Sequence, residues 1–406
     1  MNARSQRPGE DGMADPVVIV GAARTPMGGF QGELAGATAP ELGAVAIRAA
    51  LERAGVAPEQ VDEVQMGCVL PAGLGQAPAR QAALGAGLPE SVPCTTLNKM
   101  CGSGMKTAMV AHDALCAGPQ RVIVAGGMES MTNAPYLLPK MRAGARLGHA
   151  EVKDHMFLDG LEDAYDTGRL MGTFAEDCAE HYQFTREAQD EYALRSLDRA
   201  LKAGEGGAFR TEIAPVTVSG RKGDTVVAED EQPKTARPDK IPQLKPAFRK
   251  GGTVTPANSS SISDGAAALV LMRQSDAEAA GLTPLARVLG HASHAQAPGW
   301  FTTAPVPAMR SLMERIGWRR DDVDLWEVNE AFAVVPMAAE REIGFDRERL
   351  NVNGGACALG HPIGASGARI VVTLLHALAE AGLTRGMAGI CIGGGEGTAL
   401  AVERLT

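Results

Sequence analysis

The feature that most constrains the fold of this chain is a pattern that occurs twice. In the first third, the helix-like stretch CGSGMKTAMVAHDAL begins at Cys101 and leads to the strand-like stretch RVIVAGGMES. Near the other end, GHPIGASGARIVVTLLHAL leads to AGICIGGGEGTALAVE. Both copies run from a Gly/Ser-rich helix entry, through an Ala-rich helix, to a strand that ends in glycines before an acidic residue. This shared order indicates an internal duplication.

Short β-branched runs alternate with Ala-rich stretches along both copies. The runs that predict buried strands are 17–22, 122–127, 268–272 and 389–394. The stretches 39–55 and 102–118 predict helices, because each carries an apolar pattern and closes at a glycine. Such alternation predicts an α/β fold with mostly parallel sheets.

The middle of the chain loses this rhythm and gains charge and proline. Residues 134–252 therefore predict an inserted, surface-lying loop domain around the helix TREAQDEYALRSLDRALKAG, and we expect substrate-binding loops there. The predicted divisions are a disordered tail (1–16), an N-terminal half in two pieces (17–133 and 253–284), the insert (134–252) and a C-terminal half (285–406). The tail is polar and lacks the apolar core of a signal peptide.

Charge and cysteine usage exclude several classes of function. A net charge of −9 argues against non-specific nucleic-acid binding, and no apolar run is long enough to span a membrane. The seven cysteines are scattered and form no C-x-x-C pair, which predicts neither a disulfide framework nor a metal site. We therefore expect a cytoplasmic protein.

Four short motifs carry residue types that do chemistry. Cys101 precedes a Gly-Ser-Gly helix entry, Asn329 lies in VNEAFA, His361 lies in GGACALGHPIGASGAR, and Cys391 and Gly393 lie in CIGGGEG. Taken singly, each has an ordinary alternative: a buried packing cysteine, a hydrogen-bonded loop histidine, a strand-end asparagine or a glycine turn.

Together the motifs suit one kind of chemistry. A helix N-terminus or a nearby base can activate a thiol, and His361 is suited to be that base. A second cysteine can move another proton, while the amides of Cys101 and Gly393, and the side chain of Asn329, can donate to oxyanions. This set suits carbon–carbon bond chemistry on thioesters.

These motifs closely resemble those of the thiolase family. NKMCGSGMK resembles its nucleophile motif, VNEAFA its Asn-Glu-Ala-Phe motif, GGACALGHPIGASGAR its histidine motif and CIGGGEG its second-cysteine motif; ARTPMGGFQGEL and GGMESMTNAPY also resemble family segments. The resemblance runs from about residue 17 to residue 404. It implies a thiolase-like fold of two duplicated βαβαβαββ halves in a layered α/β sandwich, plus an inserted loop domain that binds coenzyme A.

The resemblance also implies roles for individual residues. Cys101 would be the acylated nucleophile, His361 its base and an oxyanion donor, and Cys391 the acid/base for the α-carbon. Asn329, through a water, and the Gly393 amide would serve the oxyanions. Coenzyme A contacts are implied for five residues, with Lys234 the weakest because its alignment needs a gap: Met171, Ala247, Phe248, Ser260 and Lys234.

The implied reaction is reversible condensation of two acetyl-CoA to acetoacetyl-CoA and CoA, or thiolysis of 3-oxoacyl-CoA, by a ping-pong mechanism. CoA thioesters would be substrates, with no permanently bound cofactor and no metal, and the assembly would be a homotetramer. Two departures from the family pattern leave acyl-chain length open: Leu170 replaces a usual histidine, and Ser261 a usual glycine. Either a broad acyl range or strict short-chain use fits this sequence.

Two alternatives share the fold. A β-ketoacyl synthase-like enzyme would normally pair its cysteine with two histidines, whereas Asn329 and Cys391 stand at those positions here. A non-catalytic CoA-binding scaffold would be expected to lose Cys101, His361 or Cys391, and all three are present.

Overall fold

A computed structural model describes residues 15–221 and 223–405 of the chain. The strands in these ranges are β1 Val17–Arg24, β2 Gly28–Gly29, β3 Glu63–Gly67, β4 Cys94–Leu97, β5 Val122–Ser130, β6 Tyr136–Leu137, β7 Lys153–Asp154, β8 Val216–Val218, β9 Thr225–Val227, β10 Ser263–Arg273, β11 Ala286–Ala295, β12 Leu325–Val328, β13 Arg385–Ile392 and β14 Glu396–Arg404. The predicted strands at 17–22, 122–127, 268–272 and 389–394 correspond to β1, β5, β10 and β13.

The α-helices in the same ranges are α1 Ala39–Ala54, α2 Pro78–Gly85, α3 Ser103–Ala117, α4 Met171–Tyr182, α5 Arg186–Gly206, α6 Glu231–Thr235, α7 Gln274–Ala279, α8 Pro305–Ile316, α9 Val334–Ile343, α10 Ala356–Leu359 and α11 Ser366–Ala381. A π-helical turn spans Phe157–Leu161. Short 3₁₀ helices lie at Pro58–Gln60, Met141–Ala143, Ala208–Thr211, Pro238–Gln243, Pro298–Thr303, Arg320–Asp322 and Arg347–Arg349. The two predicted helices are confirmed as α1 and α3.

One ten-stranded sheet runs in the order β12-β13-β14-β11-β1-β10-β5-β3-β4, with β2 beside β10. The expectation of mostly parallel pairing is wrong. Only β12–β13, β3–β4 and β3–β5 pair in parallel, and the other pairs of this sheet are antiparallel. One cause is the tight turn between β13 and β14, where Gly394 and Gly395 have φ of 92° and 87°. Such a turn permits only an antiparallel partner.

The sheet itself displays the internal duplication. From its outer edge inwards, the first half reads β4-β3-β5-β10-β1 and the second reads β12-β13-β14-β11. In the second half, Leu350 makes an isolated parallel bridge to Trp326 of β12, at the position that β4 occupies beside β3. Both halves therefore have the same strand order, and they join where β1 pairs with β11.

Helices cover and separate the two halves in layers. α1 and α2 pack on the outer face of the first half, and α8 and α9 pack on the outer face of the second. Between the halves, α3 and α11 share one core with strands of both. This arrangement is a layered α/β sandwich in which α3 and α11 form the central layer.

The Gly/Ser-rich helix entries are explained by close backbone contact in that central layer. A Cβ on Gly104 would lie 2.7 Å from the Ala368 amide nitrogen, and one on Gly367 would lie 2.4 Å from the Met105 amide nitrogen. Non-bonded carbon and nitrogen atoms do not approach each other this closely. The start of α3 and the start of α11 can therefore meet only because glycine stands at both positions.

The inserted segment carries α4 to α6 and the two small hairpins β6–β7 and β8–β9. The helix predicted inside it is α5. The proposed domain boundaries remain predictions. Of the predicted tail, residues 1–14 lie outside the described residues, and Asp15 accepts a hydrogen bond from the Ser275 amide at 3.1 Å. Among the helices of the described ranges, none combines the length and apolarity needed to cross a membrane.

Candidate active site

A cavity of about 360 Å³ opens between the inserted segment and the loops that enter α3 and α11. Three of the five predicted catalytic residues line it: Cys101, His361 and Gly393. Four of the five predicted coenzyme A contacts line it as well: Met171, Ala247, Phe248 and Ser260. The fold thus brings residues from distant parts of the chain to one opening.

The Cys101 loop is held in an unusual conformation. Met100, the residue before the cysteine, has φ of 48°, a left-handed conformation that is uncommon for a side chain other than glycine. The Ser103 hydroxyl stabilises this turn, since it accepts from the Lys99 amide at 2.8 Å and donates to the Met100 carbonyl at 2.6 Å. The turn places Cys101 on the cavity wall just before α3 begins.

The Cys101 loop also touches the turn that follows β13. A Cβ on Gly102 would lie only 2.4 Å from Cδ1 of Ile392, so any larger residue here would displace the Ile392 side chain. The Lys99 ammonium forms an ion pair with the Glu396 carboxylate from the far side of the glycine turn. These contacts explain how Gly393, which follows Cys101 by 292 positions in the chain, comes to lie beside the cysteine.

Burial raises the pKa of the Cys101 thiol to about 11, although backbone hydrogen bonds from Gly393 and from Cys101 itself act in the opposite direction. Of the two ways in which the thiol could be activated, the helix entry alone is not sufficient in the free protein. Desolvation of the charged form outweighs the helix end and its amides. Cys101 is a neutral thiol at neutral pH, and it needs a base or a developing oxyanion to react.

The imidazole of His361 is buried and has one nitrogen free among the described residues. Its Nδ1 lies 2.5 Å from the Ser366 hydroxyl, and that hydroxyl lies 2.9 Å from the Pro362 carbonyl. We assign the single hydroxyl proton to the Pro362 carbonyl, so that Ser366 accepts from Nδ1–H. Nε2 then carries a lone pair, and it has no protein partner in the described ranges.

Burial, together with the positive charge of Arg369, lowers the pKa of His361 to about 3. The ring is therefore neutral over the usual assay range. A neutral imidazole with a free Nε2 lone pair beside a neutral thiol is the arrangement that proton transfer between the two requires.

Cys391 and Asn329 do not line the cavity, and both are fully buried. Cys391 is the penultimate residue of β13. Burial, followed by the effect of the nearby Cys101 sulfur, raises the pKa of the Cys391 thiol well above its ordinary value. The next residue, Ile392, packs against Gly102, so the two cysteines lie on adjoining segments of the chain.

Asn329 follows β12 directly, and its amide donates to the Gly389 carbonyl of β13 at 3.0 Å. Both its side-chain oxygen and its side-chain nitrogen are buried without a protein partner in the described ranges. Such a group is costly unless something binds it, and an amide N–H is a suitable donor to a water or to an oxyanion.

The neighbouring Glu330 has a different part in the structure. Its carboxylate accepts hydrogen bonds from Tyr192, Ser196, Asn351 and the Cys357 amide at 2.7 to 3.0 Å. Tyr192 and Ser196 belong to α5, Asn351 lies in the loop before α10, and Cys357 lies in α10. Glu330 therefore fixes the inserted segment to the C-terminal half beside the site and is already fully engaged.

Glu129 at the end of β5 was not singled out as a site residue. Its carboxylate accepts from the amides of Val69, Leu70 and Gly364 at 2.9 to 3.1 Å, and thereby joins the loop after β3 to the His361 loop. Burial raises the pKa of Glu129 to about 7. In the sequence, Glu129 lies in GGMESMTNAPY, a segment that resembles one of the thiolase family, but nothing there marks the residue as part of the site.

The cavity wall is mostly apolar where an acyl or pantetheine chain would pass. The Phe248 ring packs so closely on Gly172 that a Cβ there would lie 2.4 Å from the ring, and it meets Phe332 edge to face at 6.0 Å between centroids. Leu170 and Ser261, the two departures from the family pattern, both line the cavity. Further apolar lining residues that sequence reasoning missed are Phe157, Leu161, Phe301 and Ile363.

Lys234 is the predicted contact that the structure does not bring to this cavity. Its ammonium lies 3.8 Å from Glu33 and 3.5 Å from Glu229, and the residue lines two other surface cavities. Two carboxylates therefore already lie beside this ammonium group. A role for Lys234 at the nucleotide end of coenzyme A remains a prediction.

Comparisons with known proteins agree with this geometry. Residues 17–275 match the family described as Thiolase, N-terminal domain, and residues 282–404 match Thiolase, C-terminal domain. The acetyl-CoA acetyltransferase of Cupriavidus necator is 52% identical over 390 residues, which cover 96% of this chain and 99% of the relative. That of Escherichia coli is 53% identical over 390 residues, with the same coverage.

Solved structures are similar over the same length. The Bacillus anthracis acetyl-CoA acetyltransferase superposes with a TM-score of 0.94 at 44% identity, covering 97% of this chain and 99% of that one. The Acat5 thiolase of Ascaris suum, solved in complex with coenzyme A, gives 0.91 at 42% identity, covering 96% and 100%.

Proposed function

Because the chain belongs to the thiolase family and is an acyltransferase, we propose that it transfers acetyl groups between coenzyme A thioesters through an acyl-Cys101 intermediate. The reaction is the reversible conversion of two acetyl-CoA to acetoacetyl-CoA and CoA. The observation that carries the proposal is the convergence of Cys101, the free Nε2 atom of His361 and the Gly393 amide on one apolar cavity.

The first half-reaction is acylation. The Cys101 sulfur attacks the thioester carbonyl while His361 Nε2 takes its proton, and the carbonyl electrons move to oxygen. The amides of Cys101 and Gly393 stabilise that oxyanion. Because the pKa of the free thiol is about 11, the proton leaves only as negative charge passes to the stabilised oxygen.

The leaving CoA thiolate then needs a proton, and His361 already holds the one from Cys101. We assign the donor as Cys391, because it lies on the segment that adjoins the Cys101 loop. This choice leaves Cys391 as a thiolate beside an imidazolium when the second acetyl-CoA binds. Burial that raises its pKa also makes this thiolate a strong base.

The second half-reaction is condensation. Cys391 removes an α-proton from the second acetyl-CoA, and the resulting enolate attacks the acyl-Cys101 carbonyl. The Cys101 thiolate leaves and regains its proton from His361. Cys391 keeps the α-proton in place of the proton that it gave to CoA, so both thiols end the cycle protonated. Asn329, whose side-chain amide has no other protein partner in the described ranges, supplies the enolate oxygen with a donor through a water.

The cavity supports the proposed binding of the pantetheine arm by Met171, Ala247, Phe248 and Ser260. Leu170 lines the same cavity as the apolar residues Phe157 and Leu161. We therefore propose that the enzyme also accepts acyl chains longer than four carbons. A cytoplasmic location suits a mechanism that needs two reduced thiols. We also propose that the protein is a homotetramer and that it acts on coenzyme A thioesters without a permanently bound cofactor.

Mass spectrometry after incubation with acetyl-CoA tests the intermediate. We expect an acetyl adduct on the Cys101 peptide that disappears when CoA is added. The His361→Ala variant should acylate far more slowly, since the thiol loses its proton acceptor. An adduct found only on another cysteine would contradict the assignment, and a wild-type protein that neither forms nor cleaves acetoacetyl-CoA would overturn the function.

A further inference from the structure

A second cluster of chemistry-bearing side chains lies outside the catalytic cavity. His112 and Asp113 belong to the second half of α3, and His291 belongs to β11. The potential ligand atoms of the three residues all lie within 4.8 Å of one another. None of the three lines the cavity that contains Cys101.

Two of the three pairs of donor atoms lie near the spacing that ligands of one small cation have. Oδ1 of Asp113 lies 3.2 Å from Nδ1 of His112 and 2.8 Å from Nε2 of His291. Tetrahedral zinc, with bonds of about 2.0–2.1 Å, holds its donor atoms roughly 3.3 Å apart. The third pair also lies within 4.8 Å, so side-chain rotations that bring all three separations to this value would complete the site.

We propose that His112, Asp113 and His291 bind one divalent transition-metal ion of the zinc type. Two imidazole nitrogens and one carboxylate form a donor set that zinc prefers, whereas calcium and magnesium prefer all-oxygen sites. The exposed side of Asp113 leaves room for water as a further ligand. No local sequence motif marks this site, because its ligands come from elements that are far apart in the chain.

Metal binding needs no net loss of protons from the imidazoles. In the metal-free arrangement each ring donates an N–H to Asp113; with the ion bound, each ring carries its proton on the other nitrogen. For His112 that nitrogen is Nε2, which lies 3.9 Å from the Cys116 sulfur one helical turn later. Both states of the ring therefore have a local partner.

The ion would join α3 and β11, which contact each other through these side chains. α3 carries the Cys101 loop at its N-terminus, and β11 pairs with both β1 and β14 at the junction of the two halves. A metal bridge between α3 and β11 would restrain the halves relative to each other. We therefore expect zinc to raise the unfolding temperature, since it binds the folded chain in preference to the unfolded one.

The test is isothermal titration with Zn²⁺ and absorption spectroscopy with Co²⁺. Full-length protein carrying Cys101→Ala and Cys391→Ala is used, so that the catalytic thiols do not contribute. We expect one equivalent to bind, and His291→Ala to weaken it by at least about tenfold, because even the loss of an outer-shell partner costs roughly 10- to 100-fold. His149→Ala, which removes an exposed histidine outside the cluster, should leave affinity unchanged.

Thermal unfolding supplies an independent readout. Zn²⁺ should raise the midpoint of the parent and of His149→Ala but not that of His291→Ala, and His112→Ala should repeat the loss. Circular dichroism without metal establishes that each variant is folded, and His112→Ala replaces His291→Ala if the latter is not. Equal affinity in parent and cluster variants, or no stoichiometric binding by the parent, overturns the proposal.

Discussion

Removing the Ser366 hydroxyl should slow acylation of Cys101 without dismantling the site. Ser366 is buried at the start of α11, and its hydroxyl accepts from His361 Nδ1–H at 2.5 Å. In Ser366→Ala, the ring either keeps this proton on an unpaired buried nitrogen or moves it to Nε2. In the second case Nε2 can no longer accept the Cys101 proton. The reactive tautomer therefore becomes the unfavourable one.

The size of the effect follows from the cost of the unpaired group. Leaving a buried N–H without an acceptor costs about 1–3 kcal/mol. This corresponds to a decrease of about 5- to 160-fold in the population of the reactive tautomer, and hence in the acylation rate. The binding of acetyl-CoA should change little, because Ser366 does not line the cavity.

The assay is the single-turnover rate of acetyl-Cys101 formation, measured by rapid quenching and mass spectrometry. Ser366→Thr keeps a hydroxyl and should recover most of the rate. Thr373→Val is the matched control: it removes another buried hydroxyl from α11, two turns away, whose contact is Glu212 at 3.4 Å. Wild-type acylation in Ser366→Ala, or an equal loss in Thr373→Val, would refute the assigned tautomer.

Four further outcomes are expected. Alkylation of Cys101 by iodoacetamide in the free enzyme, followed on its own peptide, should rise about tenfold per pH unit towards its pKa of about 11; a plateau below pH 8 would contradict a neutral thiol. Cys391→Ala should abolish α-proton exchange of acetyl-CoA while retaining some acylation, and unchanged exchange would exclude Cys391 as the base. Leu170→His should lower kcat/KM for 3-oxo substrates longer than four carbons by about tenfold or more relative to acetoacetyl-CoA, and a wild-type profile that already falls steeply beyond four carbons would contradict the broad acyl range. Gly367→Ala should lower the free energy of unfolding by about 1–3 kcal/mol in denaturant titrations, whereas Gly204→Ala, a helical glycine with open space around it, should not; equal stabilities would contradict the contact between α3 and α11.

Local patterns predicted most of the secondary structure that surrounds the site. α1 and α3 were predictable because apolar periodicity and a terminal glycine both lie within one segment. The duplication was predictable because each copy packs one helix between the two half-sheets. Both copies therefore have the same order of Gly/Ser-rich helix entry, Ala-rich helix and strand. Strand direction was not predictable, since pairing depends on which strands follow each other through tight turns and on where β10 inserts.

Motif order predicted which residues meet, but not their electrostatic state. The identity of Cys101 and His361 followed from the motifs, whereas the raised pKa of one and the lowered pKa of the other depend on burial by remote segments. The ion pair between Lys99 and Glu396 escaped notice for the same reason, because its partners are 297 residues apart. No local pattern marks contacts of this kind.

The position of β10 has a consequence for how the chain is made on the ribosome. β10 lies between β1 and β5 and pairs with both, yet β5 ends at Ser130 and β10 begins only at Ser263. While the intervening segment is being synthesised, the facing edges of β1 and β5 have no partner from their own chain. Open edges of this kind pair readily with other strands. Nascent chains on one message are thus exposed to mutual strand exchange until β10 emerges, and a chaperone that shields those two edges would raise the yield of native protein.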